Sequence, residues 1–306
     1  MKIFDLYLHI TINYVFSDNP SFFIFLFRYM PQENHYTVEQ VLDAVWLLRQ
    51  EKWVDKILNS VKEKIFWNDL NARNIEEFKT FVREFTSLYY LLKNKFAEIE
   101  RSTWERYFEH LREVVNNVLK LPNPNTKKVL IAIAHDSIED TNKTFEWLSE
   151  DYWYEVALAV QSISKDPWEK YQDVSIENEK ERIKDAKNQR NAIYFWHLQS
   201  FEIFKIHIAN LAKEKWIELT EEKLIEITRN ALDVKFADRI HNLSTQWDPN
   251  DREQVRKKIA ETNNFFLSIA QETNKEAYEQ IKRLLLVLEL RLQGTPWKVR
   301  AVLSGK

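Results

Sequence analysis

The 306-residue chain contains no cysteine. Disulfides and thiolate-held zinc or iron–sulfur centres are therefore excluded, and a reducing, cytoplasmic setting is the expectation. Glycine is nearly absent: Gly294 and Gly305 are the two present, both near the C-terminus. No glycine-rich phosphate loop or dinucleotide fingerprint can be built from them. Any phosphate chemistry falls instead to a metal ion, arginine, lysine and helix ends. With seven prolines besides, the chain has few residues for the tight turns of a hairpin-rich protein. Long apolar runs are lacking too. "SFFIFLF" (21–27) is too short to span a bilayer and reads as core. "MKIFDLYLHI" lacks the h-region and cleavage site of a signal peptide, so no membrane partner is expected. A basic excess is missing as well: 44 Lys and Arg face 47 Asp and Glu, which predicts no nucleic-acid partner.

What is present is helix-forming sequence with a large apolar content, 44% hydrophobic and 14% aromatic, enough for a substantial core. The first ~30 residues include "LYLHITINYVF", whose β-branched and aromatic content suits a strand. From about residue 37 the pattern is helical. Thr37 is placed to cap a helix bearing Val41, Leu42, Val45 and Leu48. In residues 74–100, Phe78, Phe81, Phe85, Tyr89 and Leu92 recur at three- and four-residue spacing, the stripe of an amphipathic core helix. "LPNPNTKK" (121–128) breaks the pattern, with Thr126 as the expected cap of the next helix. Further helices are expected from Thr144, across a long region at 175–215, from Thr220, and in two final segments, 251–273 and 274–293. The dense charge of 177–190 reads as a solvated face.

Chemistry concentrates in "VLIAIAHDSIEDT" (129–141), where six apolar residues run into four ionisable ones. On one continuous helix, His135 and Glu139 are four apart, as are Asp136 and Asp140, so two adjacent rows of ligand-type groups would project together. His135 and Asp136 can offer a nitrogen and an oxygen to one metal, with Glu139 and Asp140 in reach of its water. The plainer alternative is a helix end emerging into solvent. In "DVKFADRIHNLST" (233–245), Asp238 lies among apolar residues and shares a face with Asn242 and Thr245. Such an aspartate is costly unless paired or bound to a cation, and Lys235 or Arg239 would serve for pairing. His110 falls between Phe108 and Leu111, where a satisfied core histidine is the ordinary reading.

Taken in order, the segments resemble the HD superfamily of metal-dependent phosphohydrolases, and within it the RelA/SpoT-type (p)ppGpp hydrolases of the stringent response. "HDSIEDT" is similar to their H-D-x-x-E-D-T, and "VKFADRIHNLST" to V-K-L-A-D-R-L-H-N-x-x-T. "RSTWERYFEH" resembles R-x-S-G-E-P-Y-x-x-H, keeping Arg101, Glu105, Tyr107 and His110 in register, and "KKIAETNNFFLSIA" is similar to the segment that follows. The resemblance implies an all-α fold: an HD helical bundle over about 99–272, with a mostly helical extension at 1–98 and a C-terminal helix and tail at 273–306. The stretch from Asp140 to Asp238 is longer than the family's, which implies a helical insertion at about 170–215.

The resemblance further implies His110, His135, Asp136 and Asp238 as metal ligands. Manganese is the family's metal, while the N₂O₂ donor set also permits iron, cobalt or zinc. It implies Glu139 and Asp140 as the catalytic pair that holds and activates a metal-bound water for attack on the 3′-pyrophosphate, giving pyrophosphate and GDP or GTP. Arg101 would pack on the base, and Lys235, Asn242 and Thr245 would meet the nucleotide. The family's Ser-Gly-Glu-Pro is Thr103-Trp104-Glu105-Arg106 here, and Ser102 replaces a frequent basic residue, so base choice is open. A stand-alone hydrolase without a synthetase domain is expected, of unassigned oligomeric state. Two other readings remain: an HD phosphohydrolase of another nucleotide, and a non-catalytic, antitoxin-like nucleotide-binding partner protein.

Overall fold

The structure is a computed structural model that describes residues 52–67, 70, 74–96, 107–141, 143–295, 299 and 302. The Thr37 helix, the strand-like segment, "SFFIFLF" and the Arg101–Arg106 stretch lie outside the described residues. Among the described residues all regular structure is helical, as expected of an all-α protein. No helix among them is long and apolar enough to cross a membrane.

Two compact units divide the chain, Met1–Asn94 and Lys95–Lys306. In the first, helix α1 (Lys52–Lys64) and most of α2 (Ile75–Lys95) are described. The predicted stripe of α2 is buried: Phe78, Phe81, Phe85, Tyr89 and Leu92 are all 2% exposed or less. Trp53 of α1 stacks on Tyr89 at 5.4 Å between ring centroids, and Phe66 meets Phe78 edge-on at 5.3 Å. Such aromatic pairs add to the area they bury and fix how the two helices meet.

The second unit carries the remaining helices: α3 (Tyr107–Val118), α4 (Thr126–Ala134), α5 (Ser137–Asp140), α6 (Phe145–Tyr152), α7 (Tyr154–Ile163), a 3₁₀ turn at Trp168–Tyr171, α8 (Glu179–His197), α9 (Phe201–Glu214), α10 (Glu221–Thr245), α11 (Arg252–Phe265), α12 (Leu267–Thr273) and α13 (Lys275–Leu292). Helix α10 is the axis: α3, α4, α7, α9 and α13 all pack on it. Surrounded in this way, it buries Asp233, Lys235, Asp238, Arg239 and His241 along with its apolar residues. Each of those charges therefore needs a partner inside the bundle.

The structure corrects several expected boundaries. Asn125, not Thr126, caps α4: its extended backbone lets its side chain accept from the Lys128 N–H, while Thr126 is already helical. The helix expected from Thr144 does start on that cap, but it divides into α6 and α7 at Trp153, whose φ is 88°. The long region 175–215 is two helices, α8 and α9, because Ser200 caps a new start by accepting from the Ile203 N–H. Phe266 likewise parts α11 from α12. Thr220 caps α10 as expected, accepting from Lys223 N–H.

Candidate metal centre

The apolar run "VLIAIA" is the buried body of α4, with Val129 to Ala134 at most 2% exposed. The expectation of one helix through Asp140 fails at the chemically important place. Helix α4 ends at Ala134, His135 and Asp136 (φ −99°, ψ 1°) form the junction, and α5 starts at Ser137. Adjacent residues of an unbroken helix point about 100° apart. The break lets both turn to one point, with His135 Nε2 3.1 Å from Asp136 Oδ2.

Helices α3 and α10 bring the other two candidates to that point. His110 Nε2, 1% exposed, is 3.2 Å from His135 Nε2 and 3.5 Å from Asp136 Oδ2. Asp238 Oδ1 lies 3.3 Å from His110 Nε2 and 4.0 Å from His135 Nε2. Metal–ligand bonds of about 2.1 Å place neighbouring donors roughly 3–3.5 Å apart, which the spacings among His110, His135 and Asp136 match, while Asp238 meets that range toward His110 and lies farther from His135. Among the described residues, His110, His135 and Asp136 form the group whose donor atoms all lie within 4.8 Å of one another, able to hold a divalent ion.

Outer contacts orient both imidazoles. His135 Nδ1 lies 2.8 Å from the Ala132 carbonyl oxygen. A carbonyl only accepts, so Nδ1 carries the proton and Nε2 keeps its lone pair toward the site. His110 Nδ1 lies 2.7 Å from Nδ1 of buried His241. With Nδ1 as the donor of that pair, His110 would be in the same ligand-ready tautomer.

Charge then favours a cation. Four carboxylates, Asp136, Glu139, Asp140 and Asp238, gather with two ammonium groups, Lys165 and Lys235, leaving two negative charges when the imidazoles are neutral. Burial works against ionised Asp136, yet His135 and His110 hold it well below the usual carboxylate range. Asp238 is held down in the same way, against burial, by Lys235 and His110. Burial favours neutral His110, but hydrogen bonds to Asp136 and Asp238 raise it. Asp140 is raised, by burial and by the charge of Asp136.

Glu139 and Asp140 differ in support. Glu139 accepts from the Lys165 ammonium at 3.0 Å and from the Lys165 backbone N–H at 3.2 Å. Asp140 meets the Tyr107 hydroxyl, which also lies 2.7 Å from Asp136 Oδ2. Burial and those two carboxylates push the Tyr107 phenol up, so it stays protonated and donates.

Of the expected substrate residues, Lys235 is buried with its ammonium 3.2 Å from Asp238 Oδ2. Asn242 Nδ2 donates to Asp238 Oδ1, and the Thr245 hydroxyl donates to the His241 carbonyl at 3.1 Å. Arg239, the other expected pairing partner of Asp238, turns instead to Glu261 at 3.7 Å and to the Phe266 ring at 3.9 Å.

The sequence reading gave no role to Tyr107, Lys165, Tyr194 or His241. Two signals were present. Lys165 ends an apolar run, "VALAVQSIS", much as His135 ends "VLIAIA". His241 follows Asp238 by three positions and so shares its helix face. Tyr194 carried no such signal.

Crossing helices that collect two imidazoles and several carboxylates around one buried point define an all-helical domain able to bind a divalent metal. No family model matches the chain. The guanosine-3′,5′-bis(diphosphate) 3′-pyrophosphohydrolase of Aquifex aeolicus (strain VF5) is 25% identical to it over 186 residues, 61% of this chain and 21% of that protein. The chain thus spans about a fifth of the length of this distant relative, which is a hydrolase.

Proposed function

We propose that the chain is an HD-type, metal-dependent phosphohydrolase that removes the 3′-pyrophosphate of (p)ppGpp in the cytoplasm, with Mn²⁺ as its ion. The observation that carries the reading is the gathering of His110, His135 and Asp136 at the spacing of metal ligands, with Asp238 Oδ1 3.3 Å from His110 Nε2. The activity for which the distant relative is named supports the substrate.

In this reading those four side chains hold the ion, which supplies Lewis acidity toward a phosphoryl oxygen and the attacking water. Glu139, steadied by two bonds from Lys165, orients the water as a hydrogen-bond acceptor. Asp140, raised by burial and by Asp136, takes up a proton more readily than an ordinary aspartate. Tyr107 keeps Asp140 beside Asp136. Water adds to the phosphorus attached to O3′, the P–O3′ bond breaks, and pyrophosphate leaves with GDP or GTP as the other product. Arg101, Asn242 and Thr245 are assigned to the nucleotide. Lys235 bears on it through Asp238.

The sequence at Ser102 to Arg106 favours one second reading, the same hydrolysis on a nucleotide with a different base. Metal content by elemental analysis, joined to pyrophosphate release from ppGpp, pppGpp, ATP and GTP with Mn²⁺, tests both. Release from the 3′-pyrophosphates alone is the expected result. Cleavage of another nucleotide with ppGpp left intact selects the second reading, and no cleavage of any overturns both.

A further inference from the structure

Helix α8 lies in the 170–215 region where an insertion is expected, and its charged first half is mostly exposed. Its second half is different. Tyr194 is 6% exposed, and its hydroxyl donates to the Ile163 carbonyl at 3.1 Å, at the end of α7. That bond pins the ring. Lys165 Nζ stands 5.3 Å from the ring centroid and Lys235 Nζ 5.4 Å. These are the lysines that hold Glu139 and Asp238. One ring thus meets both cations of the site, and each cation holds a carboxylate of different assigned duty.

We propose that Tyr194 is a positioning residue of the centre: its ring shares the charge of the two lysines, aiming Lys165 at Glu139 and keeping Lys235 from drawing Asp238 away from the ion. This rests on the metal-site reading above. An ammonium is attracted to an aromatic face, most strongly where water is excluded. Without the ring, Lys235 has Asp238 as its main neighbouring charge, and the carboxylate becomes a poorer ligand. Lys165 gains freedom to leave Glu139, so water would be oriented less well.

The test compares Tyr194→Phe, which keeps the ring and loses the anchor, with Tyr194→Leu, which loses both. Trp196→Ala, on the same helix at an exposed position, controls for disturbance of α8. Calorimetric titration with Mn²⁺ is expected to show affinity about tenfold weaker in Tyr194→Leu, near that of the unaltered chain in Tyr194→Phe, and unchanged in Trp196→Ala. With ppGpp, kcat should fall about tenfold in Tyr194→Leu at nearly constant KM. Should Tyr194→Leu fail to fold by circular dichroism, Tyr194→Met is titrated in its place. Wild-type Mn²⁺ affinity and kcat in a folded ring-less variant overturn the proposal, as does an equal loss in Tyr194→Phe. An unaltered chain that binds Mn²⁺ but cleaves no nucleotide refutes the hydrolase reading while leaving the affinity comparison valid.

Discussion

Adding Mn²⁺ to the metal-free chain should stabilise the unit that carries the site, by an amount the structure constrains. The proposed ligands come from α3, from the α4–α5 junction and from α10, so an ion would bind them together only when these elements are packed. An ion that binds the folded form alone, at a hundred times its dissociation constant, adds about 2.7 kcal/mol. For a unit the size of Lys95–Lys306, that corresponds to a rise in Tm of about 5–10 °C. The rise should depend on pH in a definite direction. His110 is raised above its ordinary value, so the metal-free fold gains stability from its proton below about pH 6.5 and loses that gain as pH rises through the raised value. The same proton competes with the ion, so Mn²⁺ affinity grows over the same interval. Both effects act together, and the Mn²⁺-induced rise should be larger at pH 8 than at pH 6. The assay is a thermal unfolding series with and without Mn²⁺, after stripping with EDTA, for the unaltered chain, His135→Ala and Asp238→Asn. A rise that persists in His135→Ala, or one larger at pH 6 than at pH 8, refutes the assignment of these side chains to the ion.

Glu139→Ala and Asp140→Ala should each reduce nucleotide turnover by roughly 10²–10⁴ while retaining the Mn²⁺-induced rise in Tm, as measured by pyrophosphate release and thermal unfolding. His207 is lowered to about 4 by burial and by the charge of His197, whose ring stacks on it at 3.8 Å. The unfolded chain therefore binds a proton there first, and up to about 3 kcal/mol of stability should be lost as pH falls from about 6.5 to 4. Urea midpoints at pH 7 and 4.5 should show a smaller acid loss in His207→Gln than in the unaltered chain. Trp216 is 94% exposed at φ 57°, in a helix-ending turn where Ile217 N–H reaches back to the Ala212 carbonyl. Trp216→Gly should relieve the left-handed backbone at the expense of a looser unfolded state, a net gain of about 0.5–1 kcal/mol and about 2 °C in Tm.

Helix identity was legible wherever burial had one face, as in α2, because aromatic spacing records a single contact surface. It was legible in α10 for another reason. That helix is buried on every side, so its apolar pattern has no clear face, and the resemblance around Asp238 marked it instead. The breaks escaped notice because the usual markers are missing. A chain with two glycines, of which Gly294 closes α13 at positive φ, ends other helices on bulkier residues: Trp153 and Trp216 take positive φ, and nothing in their identities announces it. At α4, Asn125 and Thr126 are both capable caps, and only backbone geometry decides between them. The four candidate ligands stood out as ionisable groups in apolar surroundings. Tyr194 did not, since its importance lies in a contact 31 residues away along the chain.

Helix α10 also shows why a buried aspartate alone does not mark a metal site. It carries two, five residues apart. Asp233 faces the Lys128 ammonium at 2.6 Å and accepts from Asn274 Nδ2 at 2.6 Å, while the same lysine donates to the Asn123 carbonyl. That group is neutral and saturated, and it ties α4, α10 and the start of α13 together. A cation there would have to displace one already present. Asp238 pairs with Lys235 while Asp136 stands across His110 from it, with Asp140 and Glu139 beyond, so these four carboxylates outnumber the two lysines, Lys165 and Lys235, that pair with them. Burying such an excess is costly unless a cation offsets it. The same helix thus pairs one aspartate to hold the bundle together and sets the other among further carboxylates, whose charge a divalent ion bound there would offset.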